Sequence, residues 1–280
     1  MGNDSLLSAV VPAAGLGTRL RPLTDHIPKE MLPLGRAPVI EHVLVELREA
    51  CIRDVRIVVS PSKGMIRSYC GDGSRWGVRC AYTTQAEMRG VGDAVLCATS
   101  EGARPPFCVA FGDCAILRRL GSSVGSACAR LGQAFLEGEC DAAVLCEEVP
   151  RERTRHYGVL APADPDAARS GAPFVLGGIV EKPDPAQAPS TLVVAARWAL
   201  GQAAVEAIRS RPPGPSGEVG IAEAIADLIS DGGRVMAVPL LPDERRCDVG
   251  NPRSLLTAQA YAALNDPDHG EAVRAAFGDM

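Results

Sequence analysis

The sequence has no CxxC pair, no excess of basic residues and no apolar run approaching twenty residues, and each absence removes a class of protein. Ten cysteines lie at positions 51, 70, 80, 97, 108, 114, 128, 140, 146 and 247. Without paired spacing they make no zinc or dithiol motif. Several sit inside apolar runs, as in Phe107-Cys108-Val109-Ala110 and Val144-Leu145-Cys146, where a thiol behaves as a small hydrophobe. Free, buried thiols are therefore expected. Lys and Arg number 29 against 34 Asp and Glu, a net charge of −5. That balance argues against nucleic acid as the main ligand, because a phosphate-backbone binder needs a basic surface, so no nucleic-acid partner is expected. A few local cations still suffice for a small anionic substrate. The first apolar stretch, residues 6–14, has no basic flank and falls short of the ~20 residues of a membrane helix. A cytoplasmic protein with no membrane partner is predicted. No internal repeat and no long flexible linker appear, so one domain over 1–265 with a polar, loosely held tail at 266–280 is the simplest division.

What is present is an ordinary globular composition, 46% hydrophobic and 22% charged over 280 residues, ample for a core. Apolar β-type runs at 6–13, 55–60, 78–82, 107–111 and 142–146 alternate with helical patterns at 38–50, 92–100 and 122–137. Such alternation predicts an α/β fold with a mostly parallel sheet covered on both faces. Farther on, β-like runs at 156–161, 174–180 and 191–199 follow one another without long helices, which predicts inserted hairpin elements. Helices are expected at 202–209, 221–230 and 254–264, and a late strand at 234–240.

The most informative segment is 10–34, VVPAAGLGTRLRPLTDHIPKEMLPL. A buried strand delivers the small loop Ala13-Ala14-Gly15-Leu16-Gly17-Thr18-Arg19. Glycines there let backbone N–H groups approach phosphate oxygens. Arg19 adds a planar fork of donors and Lys29 a second cation. GxxxxGK[ST] is absent, which excludes a P-loop NTPase. Leu20 stands where a dinucleotide fingerprint needs its third small residue, which argues against a nicotinamide-dependent oxidoreductase.

Segment 10–34 resembles the signature of the sugar-1-phosphate nucleotidyltransferase family. The run Ile27-Pro28-Lys29-Glu30-Met31-Leu32-Pro33-Leu34 is similar to bacterial UTP–glucose-1-phosphate uridylyltransferases, with matching pieces to about residue 262. The resemblance implies a Rossmann-like, nucleotide-diphospho-sugar transferase fold. It implies a reaction in which a sugar 1-phosphate attacks the α-phosphorus of a nucleoside triphosphate. UTP and glucose 1-phosphate are the favoured pair, and Mg²⁺ the cofactor. Carried onto this chain, the nucleotide site comprises Ala13, Ala14, Gly15, Gly17, Thr18, Arg19, Gln85 and Gly90. Asp113, at the end of an apolar strand, and Asp248, in Arg246-Cys247-Asp248-Val249-Gly250, would hold the metal. Tyr157, Gly158, Glu181, Lys182 and Glu218 would receive the sugar phosphate. Catalysis would fall to Arg19, Lys29, Asp113 and Lys182. No protein nucleophile is required, because the sugar phosphate is already ionised and the work is alignment and charge neutralisation.

The chain also departs from that pattern. Asp93 stands where the uridylyltransferases usually carry His, Gly220 and Ala222 replace a polar Gln and Thr, and Ala196 replaces a Gly. Gly71-Asp72-Gly73-Ser74-Arg75-Trp76-Gly77 resembles the thymidylyl- and guanylyltransferase branches instead. Two alternatives follow: a dTTP-, GTP- or CTP-using enzyme for an unusual sugar or cyclitol phosphate, and a non-catalytic nucleotide-sugar sensor. A homo-oligomer is compatible with the family, but no subunit number follows from the sequence.

Overall fold

Strand β1 (Ser8–Pro12) is a run of small and β-branched residues without polar alternation, as expected of a strand buried on both faces. The computed structural model, which describes residue 6 and residues 8–278, places it inside a nine-stranded sheet. Leu7, within the first predicted strand, lies outside the described residues, as do Asp279 and Met280. After β1, the two-residue strands β2 (Pro33–Leu34) and β3 (Ala37–Pro38) form a small hairpin. Strands β4 (Asp54–Val59), β5 (Arg79–Thr84) and β6 (Phe107–Ala110) extend the sheet, with β1–β4, β4–β5 and β1–β6 all parallel. Helices α1 (Val39–Glu49), α2 (Gly64–Cys70) and α3 (Gly90–Ser100) are the crossovers between them.

The remainder of the chain builds the other half. Strand β7 (Cys114–Arg118) leaves the main sheet, helix α4 (Ala127–Glu137) follows, and β8 (Ala142–Glu148) returns to it. Strands β9 (Gly158–Pro162) and β10 (Phe174–Glu181), with the short helix α5 (Pro165–Arg169) between them, form an antiparallel pair, and β11 (Leu192–Leu200) runs antiparallel to both β6 and β8. Helices α6 (Gln202–Ser210) and α7 (Ile221–Ser230) lead to β12 (Val235–Pro239), parallel to β8, and β13 (Glu244–Asp248), which pairs with β7. Helices α8 (Pro252–Leu264) and α9 (Gly270–Gly278) close the described chain. The sheet order is β5-β4-β1-β6-β11-β8-β12-β10-β9, a mixed α/β sheet whose antiparallel strands lie in the second half.

Burial alternates along the strands and fills both faces. Ala9 and Val11 of β1 join Val55, Ile57 and Val59 of β4 against α1 and α4, whereas Val10 and Val58 face α3, α6 and α7. A third cluster serves the site directly. Leu20, Leu32 and Leu34 pack with Ala115, Cys247, Val249 and Leu255, so the glycine-loop segment and the β7–β13 ribbon share one apolar anchor.

Three segments differ from the sequence-based picture. The helix read at 122–137 begins only at Ala127, because Ser126 takes an extended conformation and its hydroxyl donates to the Glu46 carbonyl instead of capping α4. Helix α2 was not legible, since only Ile66 and Cys70 of its seven residues are buried. The tail expected to be loose carries α9, and Arg36 holds Asp266 at 2.9 Å and Asp268 at 2.8 Å just before it. The thiols fall as expected for most positions: Cys51 is exposed, Cys80 and Cys97 are half-buried, and the other seven are buried.

Candidate active site

The sheet order reverses around β1: the chain runs from β1 to β4 on one side and later returns to β6 on the other. A crevice opens at the C-terminal ends of strands at such a switch point, where ligands of open α/β sheets bind. The loop after β1 lies there. Its Ala13 N–H donates to Val58 at 2.8 Å, and Gly112 after β6 donates to Pro12 at 3.0 Å. Ala13 and Ala14 are buried, Gly15 is exposed, and Gly17 takes φ 68°, a left-handed value that a branched side chain resists. Thr24 locks that turn by donating to the Gly17 carbonyl at 2.8 Å. Thr18 and Arg19 stay exposed in the next turn, while Leu20 is buried and anchors it.

Charges converge on this crevice. Lys29 forms an ion pair with Asp113. A Cβ on Gly15 would lie 3.4 Å from the Lys29 Nζ, so the cation sits directly against the loop. Burial pulls the Lys29 pKa down, but Asp113 and Glu30 outweigh it and the ammonium is held above its ordinary value. Burial likewise opposes ionisation of Asp113, and Lys29 overcomes it to hold the carboxyl below its usual range. Asp248 is pushed up, first by burial and then by the negative charge of Asp113. The β7–β13 register sets Asp248 opposite Cys114, and Val249 donates to the Asp113 carbonyl at 3.1 Å. Arg19 closes the arrangement: its Nη2 lies 3.3 Å from where a Cβ on Gly250 would be, beside Asp248 at 2.8 Å from the same point.

Two buried cations that sequence reasoning did not single out complete this half. Lys63, at the entry to α2, donates to Glu30 at 2.7 Å and to the Ala13 carbonyl at 2.8 Å. Burial drives both members toward their neutral forms, raising Glu30 and lowering Lys63. Arg246, two residues before Asp248, pairs with Glu147 and lies 4.4 Å over the ring of Tyr157. It thereby joins the β7–β13 ribbon to the residue that precedes β9. Its place in Arg245-Arg246-Cys247-Asp248 was the available signal.

Gln85 is buried, not a surface residue, and follows the end of β5. Its backbone N–H donates to Val59 at 2.9 Å, next to the Val58 carbonyl that receives Ala13, so Gln85 stands one strand away from the glycine loop. Its side-chain amide donates to the carbonyl of Gly90 at 3.1 Å and to Asp93 at 2.7 Å. Gly90 has φ 90°, and a Cβ there would meet the Val219 carbonyl at 2.7 Å. The close approach is a backbone clasp in which Val219 donates to Arg89 at 2.8 Å and Gly92 to Val219 at 2.9 Å.

The second group of predicted residues gathers where β9 and β10 pair. Glu181 opposes Gly158 in the register, and a Cβ on Gly158 would lie 3.0 Å from the Glu181 carboxylate. Lys182, at φ 47°, turns its ammonium back to Glu181 at 2.6 Å. Its pKa is raised by that hydrogen bond first, with Glu223 and Glu218 adding negative charge nearby. Tyr157 precedes Gly158 under Arg246, and Arg153 donates to its hydroxyl at 3.0 Å. Glu218 is exposed, with its Cβ beside Gly90, so it stands between the two groups. The Ala222 methyl lies 3.3 Å from the Gly158 Cβ position, an apolar surface against the site.

Mixed sheet, switch-point loop and converging charges define a nucleotidyltransferase, and the family model described as nucleotidyl transferase matches residues 8–264. The chain belongs to the sugar-1-phosphate nucleotidyltransferase family. It is 33% identical over 242 residues to the UTP–glucose-1-phosphate uridylyltransferase of Pseudomonas aeruginosa, covering 79% of this chain and 84% of that one. Its identity to the Bacillus subtilis enzyme of the same name is 29%, over 93% and 92% of the two chains. Among solved structures, the UTP-bound UGPase from Acinetobacter baumannii superposes with a TM-score of 0.81 at 26% identity, covering 98% and 99% of the chains. A UDP-glucose pyrophosphorylase complexed with UDP-glucose gives 0.79 at 25% identity, covering 98% and 100%. Among the described residues, no helix is long and apolar enough to cross a membrane.

Proposed function

We propose that the protein transfers a uridylyl group from UTP to glucose 1-phosphate, giving UDP-glucose and pyrophosphate. The observation that carries this reading is the convergence of Lys29, Asp113, Asp248 and Arg19 on the glycine loop at the β1–β6 switch point. The names of the relatives support the substrate pair.

In this reading the backbone amides of Ala13–Thr18 hold the triphosphate, and Arg19 and Lys29 neutralise its charge. Gln85 and Gly90 receive the base. Lys182 binds the phosphate of the sugar 1-phosphate, Glu181 accepts hydrogen bonds from sugar hydroxyls, and Tyr157, Gly158 and Glu218 border the ring. A phosphate oxygen of the sugar phosphate attacks the α-phosphorus. The bond to the bridging oxygen of the β-phosphate breaks, and pyrophosphate leaves with the electron pair. Lys29 starts paired with Asp113 and lies against Gly15 of the loop, so it is placed to follow charge onto the departing phosphates.

Asp113 and Asp248 fit a divalent cation that also binds substrate phosphate. Their mutual repulsion is the signature of two carboxylates sharing a small space. Two carboxylates are a typical protein share of a Mg²⁺ site that substrate phosphate and water complete. Bound there, Mg²⁺ would supply charge neutralisation of the triphosphate.

The apolar Ala222 wall beside Gly158 favours a second reading of the acceptor alone, a sugar or cyclitol phosphate with fewer hydroxyls on that side. Pyrophosphate release with Mg²⁺, measured over UTP, dTTP, GTP, CTP and ATP against several sugar 1-phosphates, tests both. Greatest release with UTP and glucose 1-phosphate is expected. Release with another acceptor only would establish the second reading, and nucleotide binding without release from any pair would overturn both.

A further inference from the structure

The side chain of Gln85 is 3% exposed, yet its amide is fully committed on one side only. Both of its side-chain bonds to described residues leave from Nε2, one to the Asp93 carboxylate at 2.7 Å and one to the Gly90 carbonyl at 3.1 Å. An ionised carboxylate and a backbone carbonyl only accept hydrogen bonds. The amide therefore has one permitted orientation, because turning it over would set its oxygen against two acceptors. Among the described residues nothing donates to Oε1, which is left as the free polar atom of a buried side chain. Asp93 is itself held: it lies on the first turn of α3, with Arg89 Nε 3.8 Å from its other oxygen.

We propose that Asp93 is a positioning residue that fixes Gln85 as a hydrogen-bond acceptor, so that among pyrimidine nucleotides the site selects a base with a ring N3–H. Uracil and thymine carry that donor, whereas cytosine presents a lone pair at N3. This inference rests on the reading of Gln85 as the residue that meets the base. A Gln free to turn satisfies either pattern, offering its oxygen to uracil or its NH₂ to cytosine. The Asp93 carboxylate, the nearer of the two acceptors and backed by the Gly90 carbonyl, disfavours the second option. Its effect acts through the amide of Gln85 and not through contact with the nucleotide.

Calorimetric binding of UTP, CTP and 3-methyl-UTP to the full chain with Mg²⁺ tests this. Wild type should bind UTP at least about tenfold more tightly than either CTP or 3-methyl-UTP, the scale of one buried hydrogen-bonding group left unpaired. In Asp93→Asn, whose amide serves as donor or acceptor, the preference for UTP over CTP should shrink by at least about threefold by the same scale. Asp93→Leu, which leaves the Gly90 carbonyl as the remaining acceptor against the amide, should shrink it by less. A purely structural role for Asp93 would weaken all nucleotides together and leave the UTP-to-CTP ratio in place, which would overturn the proposal. Equal wild-type affinity for UTP and 3-methyl-UTP would overturn it without any variant. Failure of wild type to bind any nucleotide would overturn the reading of the glycine loop itself, a result distinct from binding without base preference.

Discussion

Lys63 reaches back across 50 residues to the carbonyl of Ala13 while holding Glu30 at 2.7 Å, so one buried ammonium ties the start of the glycine loop to the segment that follows it. Removing either member alone leaves a buried charge without its partner, which costs roughly 3–5 kcal/mol. Lys63→Met should be destabilised by about that amount in urea unfolding. It should also raise the KM for nucleotide, because the Ala13 carbonyl loses its donor. Adding Glu30→Gln should restore part of the stability. A double variant no more stable than Lys63→Met would show that the pair is not the source of the loss.

Asp113→Asn keeps the volume of the side chain and its place beside Lys29, but removes the charge that pairs with Lys29 and that would hold the cation in the proposed reaction. Initial rates of pyrophosphate release should fall by at least about a hundredfold. Stability should fall by only about 1–3 kcal/mol, the scale of a weakened charged hydrogen bond. Rates within a few fold of wild type would remove Asp113 from the reacting centre.

Ala196 sits at φ 58° within an irregular stretch of β11, and its methyl bears a left-handed backbone. That conformation costs a non-glycine residue about 1–2 kcal/mol, more than the entropy glycine loses on folding. Ala196→Gly should therefore raise the thermal midpoint by about 2 °C, whereas Ala195→Gly on the same strand should lower it. A lower midpoint for Ala196→Gly would show that the methyl contributes more by packing than it costs in strain.

Burial pushes the Cys70, Cys146 and Cys247 thiols up to about 12, and Cys80 and Cys140 up to about 11. These groups are thiols, not thiolates, at pH 8, and thiolate is the reactive form. Titration with a coloured disulfide reagent should find about one fast group, Cys51, in the native protein, and ten after denaturation. Rapid reaction of several groups in the native state would contradict the buried placement.

The placement of the glycine loop was legible in the sequence because its parts are local: strand, turn and cations lie within twenty-five residues of one another. The position of Asp113 was legible for the same reason, since it comes shortly after β6. The partners that fix these groups were not, since they are far apart in the chain. Lys63 meets Glu30 through the β4 crossover, Arg246 reaches Tyr157 across 89 positions, and β7 pairs with β13 over more than 120. No periodicity in one segment announces a contact supplied by another. Gln85 shows the limit in a single residue. Its identity suggested a base reader, but its orientation depends on Asp93, which read as an imperfect match to the family and proved to be its hydrogen-bond partner.

The backbone clasp between Val219 and the Arg89–Gly92 turn has an evolutionary consequence. It ties the segment bearing Glu218, Gly220 and Ala222 to the start of α3 through main-chain atoms, which survive replacement of side chains on either side. Point substitutions at 218, 220 and 222 can therefore change the side chains on one side of the clasp while the main-chain geometry beside Gln85 and Gly90 is inherited unchanged.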